Sequence, residues 1–440
     1  MTKDAQGHEL TNATSEAAGH LDQAARAFTL AYGDVMADLD NAAKAAPQAP
    51  MVALIKAWVQ ALSNDPAMVE AARAALPAIQ QLTMNEREQA HASALAEAVA
   101  SRWASAVAIL DRHLMHYPHD LMAHQCAMRL DGFQGRFHLA AGRSARALPL
   151  WSKDQPGYGI LLSFLGFGLE EAGDYAKAED ISRQAALLEP HGYWPHHAVS
   201  HVLEMTGRPS EGLQWMNERQ ALWAGKANSN RVHIWWHKSL FHVELGQYDQ
   251  ALKLYDDEIL PTLRPVGTSL CNPTALLWRL EALGCPAGDR WRHVADLWQE
   301  RANGRTSMFN DIHAAITAVR AGEDARFETL LHAMRATAAA NGPFAANYRD
   351  VGIPIAEAMA SFHRRDYTDA VERLMPVRFE LWRMGGSKAQ RDLIEWTLTE
   401  AAVRAGNRDA ALALAHERLA ARPQSTVNRH FLAEAEAIAA

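Results

Sequence analysis

Cysteine is scarce in this chain of 440 residues: Cys126, Cys271 and Cys285 form neither a CxxC pair nor a disulfide framework. That excludes a thiolate metal motif and fits a reducing, cytoplasmic setting. No run of 18 apolar residues occurs, so no helix is expected to span a bilayer. The opening stretch MTKDAQGHELTNATSEAAGH has no apolar centre, so neither a secretory signal nor an anchor is expected there. Long Lys/Arg runs are missing too, and 43 basic against 51 acidic residues leave a net charge of −8. Nucleic acid and anionic membranes are therefore not expected partners. Alternating β-branched runs, GxSxG, HExxH and the P-loop spacing GxxxxGK[ST] are absent, so neither a sheet nor a familiar catalytic signature is predicted.

Helix formers dominate what is present. Ala, Leu, Glu, Gln and Arg recur with apolar residues three and four apart, as in Leu161, Phe164, Leu165, Gly168 and Leu169. Proline and glycine fall between helical stretches, at APQAP (46–50), EPHGYWP (189–195), GCPAGD (284–289) and MGGSK (384–388) among others. A turn followed by a conserved spacing also repeats. In GDYAKAE (173–179), NRDAALA (407–413) and RWASAVA (102–108), Ala178, Ala411 and Ala106 each precede a proline by twelve residues. GRPSEGL (207–213), GQYDQAL (246–252) and RRDYTDAVE (364–372) carry the same turn.

These segments resemble the tetratricopeptide repeat (TPR), a helix–turn–helix unit that buries its apolar face only by stacking on its neighbours. In that alignment Leu165-Gly166 falls on the repeat's Leu-Gly, and Ala178 and Ala185 take the two small positions where antiparallel helices cross. An all-α, right-handed TPR-like superhelix of about six to nine helix pairs is predicted. Its expected parts are an irregular helical cap over residues 1–84, central repeats over 85–263, and further repeats over 264–440, packed as one array. Taken together, REQAH (87–91), HAVSHVLEM (197–205), HIWWHKSLFHVELGQYDQALKLYDDEILPTL (233–263), FNDIH (309–313), RDVGIPI (349–355) and GGSKAQRD (385–392) resemble the tetratricopeptide repeat protein 38 family. The resemblance stops before residue 85 and in an insert around 264–288. It implies a fold and assigns no activity.

Histidine is abundant, with 21 in the chain. His191, His196, His197, His201, His233, His237 and His242 crowd one segment beside Trp194, Trp215, Trp223, Trp235 and Trp236. At about 100° per residue, His197, His201 and Glu204 share one helical stripe, and His233, His237 and Glu244 a second. His242 falls on the opposite side. The resemblance implies that both stripes line the concave groove of adjacent repeats, and His91 takes the matching position in its own repeat. Three readings stay open: packed, hydrogen-bonded histidines; a divalent-metal site using His197, His201, His233 and His237; and metal-free acid–base chemistry with Glu204 fixing a tautomer. Trp236, Glu244, Asp311, His313, Arg349 and Arg391 are further candidates for ligand contact, although Asp311 suits a helix start and the arginines suit ion pairs.

Two function classes follow. One is a cytoplasmic repeat protein whose His/Trp/Glu groove binds a small molecule or peptide. The alternative is an enzyme, a hydrolase, lyase or isomerase, with His197, His201, Glu204, His233 and His237 as its catalytic set. No feature of the sequence fixes an oligomeric state.

Overall fold

A computed structural model describes residues 2–439. Among the described residues there is no strand, only isolated bridges between Lys3 and Glu9 and between Tyr32 and Asn228. The chain forms two compact units. The first runs to Gly132 and takes in Arg136–Val199 and Gln220–Arg231; the second takes Phe133–Gly135, Ser200–Arg219 and the chain from Val232 onward.

Each unit is built from antiparallel helix pairs. In the first, Glu86–Val99 packs on Trp103–His116, and Tyr158–Ala172 on Tyr175–Leu188. In the second, Met308–Ala321 packs on Asp324–Ala339, Ile353–His363 on Tyr367–Leu374, and Arg408–Ala421 on Thr426–Ala437. This is the all-α, TPR-like architecture that the sequence repeats predict.

One local device recurs and creates the pairs. Ser101, Gly135, Gly173, Gly207, Gly246, Gly284, Gly322, Arg365 and Gly406 all sit at φ between 62 and 89°, at steps of 34 to 43 residues. The residue after each donates its N–H five residues back, as in Asp174 to Leu169 (3.0 Å), Gln247 to His242 (2.9 Å) and Asn407 to Ala402 (3.1 Å). That bond satisfies a carbonyl the finished helix leaves without a partner, and the left-handed residue reverses the chain into the next helix.

Five residues beyond the turn comes the close crossing. Ala106, Ala178, Ala251, Ala370 and Ala411 are all fully buried there. Gly212 fills the same place in its own repeat, and a Cβ on it would come within 2.4 Å of the Phe241 ring. On the facing helix a Cβ on Gly166 would lie 2.2 Å from the Ser182 hydroxyl. Small residues at these positions are thus a packing requirement, as the repeat alignment predicts for Ala178 and Ala185.

Arg365 is the exposed, non-glycine member of the turn series, at φ 64°. A left-handed conformation costs a residue with a Cβ about 1 kcal/mol. Arg365→Gly is therefore expected to stabilise the protein by about 0.5–1 kcal/mol. An unchanged or lower urea midpoint for the variant would contradict this assignment of strain.

A candidate histidine site

The helix Arg231–Glu244 is apolar almost all round, with Val232, Ile234, Trp235, Trp236, Leu240, Phe241 and Val243 buried. A helix enclosed in this way has to satisfy its polar side chains inside the protein. His237, fully buried, does so with both ring nitrogens. Its Nδ1 lies 2.8 Å from Oε2 of Glu204, and its Nε2 lies 3.2 Å from Nε2 of His233. His233 is half-buried, stacks on Trp236 with ring centres 5.1 Å apart, and places Nδ1 2.5 Å from Oδ1 of Asn272. The His201 ring, also fully buried, is 4.6 Å from that of His237. The structure thus brings together His201, Glu204, His233, His237 and Trp236 within the second unit.

The partners of this chain fix its proton positions. Asn272 sits on Gly267–Ala282 and donates from Nδ2 to the carbonyls of Ser269 (2.8 Å) and Thr268 (3.3 Å). Its Oδ1 is left to accept, so the His233 Nδ1 is the donor and its Nε2 carries a lone pair. Burial pushes the Glu204 carboxyl up, against the pull of His201, Arg422 and Arg279. Burial also pushes His237 well below the usual imidazole range, aided by the charges of His201 and Arg279. A buried charge is costly, so both shifts oppose a fully ionised Glu204–His237 pair. Arg279 and Arg422 are in turn balanced by Asp392. Burial alone would raise that carboxyl, but Arg418, Arg422 and Arg279 hold it well below the carboxylate range. The Arg418–Asp392 contact is 2.9 Å.

Other sequence candidates make further contacts. His197 is one turn before His201 on Tyr193–Met205, stacked on Tyr193 (4.7 Å) and against Phe167 (4.8 Å). His91 belongs to a different cluster in the first unit: Asp120 Oδ2 receives Arg87 Nε (2.6 Å), His91 Nε2 (3.0 Å) and His113 Nε2 (3.1 Å). Glu244 is not brought to the imidazoles; its carboxylate accepts from the Ser425 hydroxyl. Asp311 is buried and accepts from the backbone of Asn303 and Gly304 (3.0 Å each) and from Tyr348, while Ser307 caps the helix. Arg349 pairs with Asp350 at the surface (2.9 Å), and Arg391 donates to the Gly386 carbonyl. GGSK opens a capping box in which Ser387 and Gln390 satisfy one another's backbone.

Sequence reasoning passed over Asn272 and Arg279, because both fall in the segment treated as an insert. A usable signal existed: Gly267–Ala282 carries Asn and Arg amid Leu270, Leu276, Leu277 and Leu280, all buried. Polar residues inside such a helix need internal partners.

His313 is distinct in chemistry. It is buried, donates from Nδ1 to the Phe309 carbonyl (2.8 Å), and is pushed down to about 4 by burial despite that bond. The unfolded imidazole titrates near 6.5, so between about 6.5 and 4 the unfolded chain binds the extra proton. Stability from this group is present above pH 6.5 and lost as pH falls toward 4, by up to about 1.4 kcal/mol per pH unit. His313→Asn keeps a donor without the titration, and its unfolding free energy should fall less steeply over that window. Identical slopes for wild type and variant would contradict the neutral, buried imidazole.

No protein-family model matches the chain. Among solved structures it is similar to the human IFIT1 dimer with m7Gppp-AAAA, at 14% identity and a TM-score of 0.44 over 95% of this chain and 94% of that one. It is also similar to the APC/C hetero-tetramer Cut9–Hcn1, at 12% identity and a TM-score of 0.35 over 96% and 90% of the two chains. For yeast Tom70 the identity is 13% and the TM-score 0.33, over 97% and 89%. None of these likenesses indicates what this chain binds. By its own periodic turns and helix pairs, the chain is a TPR-like helical-repeat protein.

Proposed function

We propose that this TPR-like protein, akin to the tetratricopeptide repeat protein 38 family, is a cytoplasmic binding protein that takes a small molecule or peptide on its His/Trp/Glu groove. The observation that carries the reading is the half-buried His233, stacked on Trp236 and linked through His237 to the buried Glu204. Such a chain offers an arriving ligand one half-buried imidazole, backed by the buried Trp236 and, through His237, by a buried carboxyl. The carboxyl–imidazole–imidazole order also supports the second reading, an acid–base enzyme in which His233 exchanges a proton with substrate and His237 passes it toward Glu204. The net charge of −8 and the lack of a basic run favour a small or peptidic ligand over nucleic acid or an anionic membrane. No helix among the described residues is long and apolar enough to cross a membrane. The cysteines of the chain are free thiols, in keeping with a reducing compartment.

The test is a thermal-shift screen of metabolites and short peptides with chelator present, followed by titration of each hit. His233→Ala and Trp236→Phe should weaken a true groove ligand about tenfold or more, equivalent to about 1.4 kcal/mol. Ligands that bind these variants as tightly as wild type would sink the groove reading. Turnover of a hit by wild type and not by His233→Ala would select the enzyme over the binding protein.

A further inference from the structure

We propose that Nε2 of His233 and Nε2 of His237, together with a ring nitrogen of His201, form a binding site for a divalent transition-metal ion of the zinc class. The inference rests on the reading of this face as the binding site and names one ligand it takes.

The geometry of the chain leads to it. Asn272 can only accept from His233 Nδ1, so the Nε2 lone pair of His233 points away from that bond. Glu204 Oε2 lies 2.8 Å from His237 Nδ1, and beside a bound cation it would accept that N–H and leave the Nε2 lone pair of His237 to the ion. These two nitrogens lie 3.2 Å apart. A cation placed between them would draw on both. In tetrahedral zinc sites, with Zn–N near 2.0–2.1 Å, adjacent nitrogens are about 3.3 Å apart. A third nitrogen is at hand: those of His201, His233 and His237 lie within 4.8 Å of one another.

Glu204 and Asn272 supply the outer contacts typical of such sites. A metal-bound imidazole donates its other N–H to a carboxylate or carbonyl oxygen, which fixes the ring and its tautomer. Glu204 does this for His237 and Asn272 for His233. The first contacts are all imidazole, which suits zinc, nickel, cobalt or ferrous iron better than magnesium or calcium. The ligand of the groove would then meet the ion beside His233, the member of the set nearest solvent.

A histidine set used only for packing gives a different arrangement, with an N–H of one ring aimed at a lone pair of the next. The Asp120 cluster of the first unit is built in that saturated way. There one carboxylate oxygen gathers Arg87, His91 and His113. At the His233–His237 edge the outer partners sit on the two Nδ1 atoms, and the two Nε2 atoms face each other.

The experiment uses the full chain purified without a histidine tag, stripped with chelator, dialysed at pH 8 and titrated separately with Zn²⁺, Co²⁺, Ni²⁺, Fe²⁺ and Mn²⁺. About one zinc or cobalt per chain is expected by elemental analysis, with a cobalt visible spectrum typical of nitrogen ligation. His233→Ala should abolish that spectrum, whereas the exposed His416→Ala should leave it unchanged. Asn272→Leu keeps every ligand and should weaken binding about 10–100-fold, which tests the outer contact if His233→Ala fails to fold. Wild type that takes up none of the five metals overturns the inference, as does equal uptake by a folded His233→Ala. If such metal-free protein still binds groove ligands in chelator, only the metal assignment falls, and the binding reading stands.

Discussion

A single residue forced into left-handed backbone, once per helix pair, is the constraint from which the rest of this molecule follows. At Gly173, Gly246 or Gly406 it ends one helix, satisfies a terminal carbonyl and reverses the chain at a fixed angle. The fifth residue beyond then lies where two helices cross and is alanine or glycine in most of the repeats, as at Ala178, Ala251 and Gly212. Close crossings in turn enclose the middle helices so fully that their histidines, asparagines and arginines have to bond to one another. The histidine site is a product of that enclosure.

Much of this was legible in the sequence, because the turn and its alanine are local signals. The repeats at Gly173, Gly246 and Gly406 announce themselves by Gly or Asn followed by the small residue. The turn at Gly284 does not, since CPAGD lengthens the loop before Arg290–Trp298 and moves the alanine out of register. Gly322 was missed because EDARFETLL puts Phe327 at the fifth place, and Gly135 although Ala140 stands there; the backbone at both takes the same φ. Helical phase put His197, His201 and Glu204 on one stripe and His233, His237 and Glu244 on a second, and the structure brings His201, Glu204, His233 and His237 into contact. Phase could not place Glu244, whose stripe position is shared with His233 but whose partner, Ser425, lies 181 residues away. Nor could phase alone find Asn272, which sits on a third helix and whose orientation is set by two backbone carbonyls.

The two histidine clusters show how the same residue type serves different ends. Asp120 is one carboxylate with several donors, and Arg87 beside it holds a further contact with Asp4 at 2.8 Å. Removing one partner there leaves a buried charge uncompensated, the usual route to a loss of several kcal/mol. The His233–His237 edge has the opposite character. His233 spends its Nδ1 donor on Asn272, and its Nε2 faces that of His237 across 3.2 Å. Arg279 and Arg422 lie close enough to depress the Glu204 carboxyl, yet Asp392 neutralises much of their charge. The proposed cation would sit at this edge, beside the half-buried His233.

The assignment of those protons is the centre of the account, and long-range ¹H–¹⁵N NMR of histidine-labelled protein measures it directly. The account predicts that His233 is protonated at Nδ1, with Nε2 resonating as an unprotonated nitrogen that shifts when zinc is added. A His233 protonated at Nε2 and bare at Nδ1, unmoved by zinc, would contradict it.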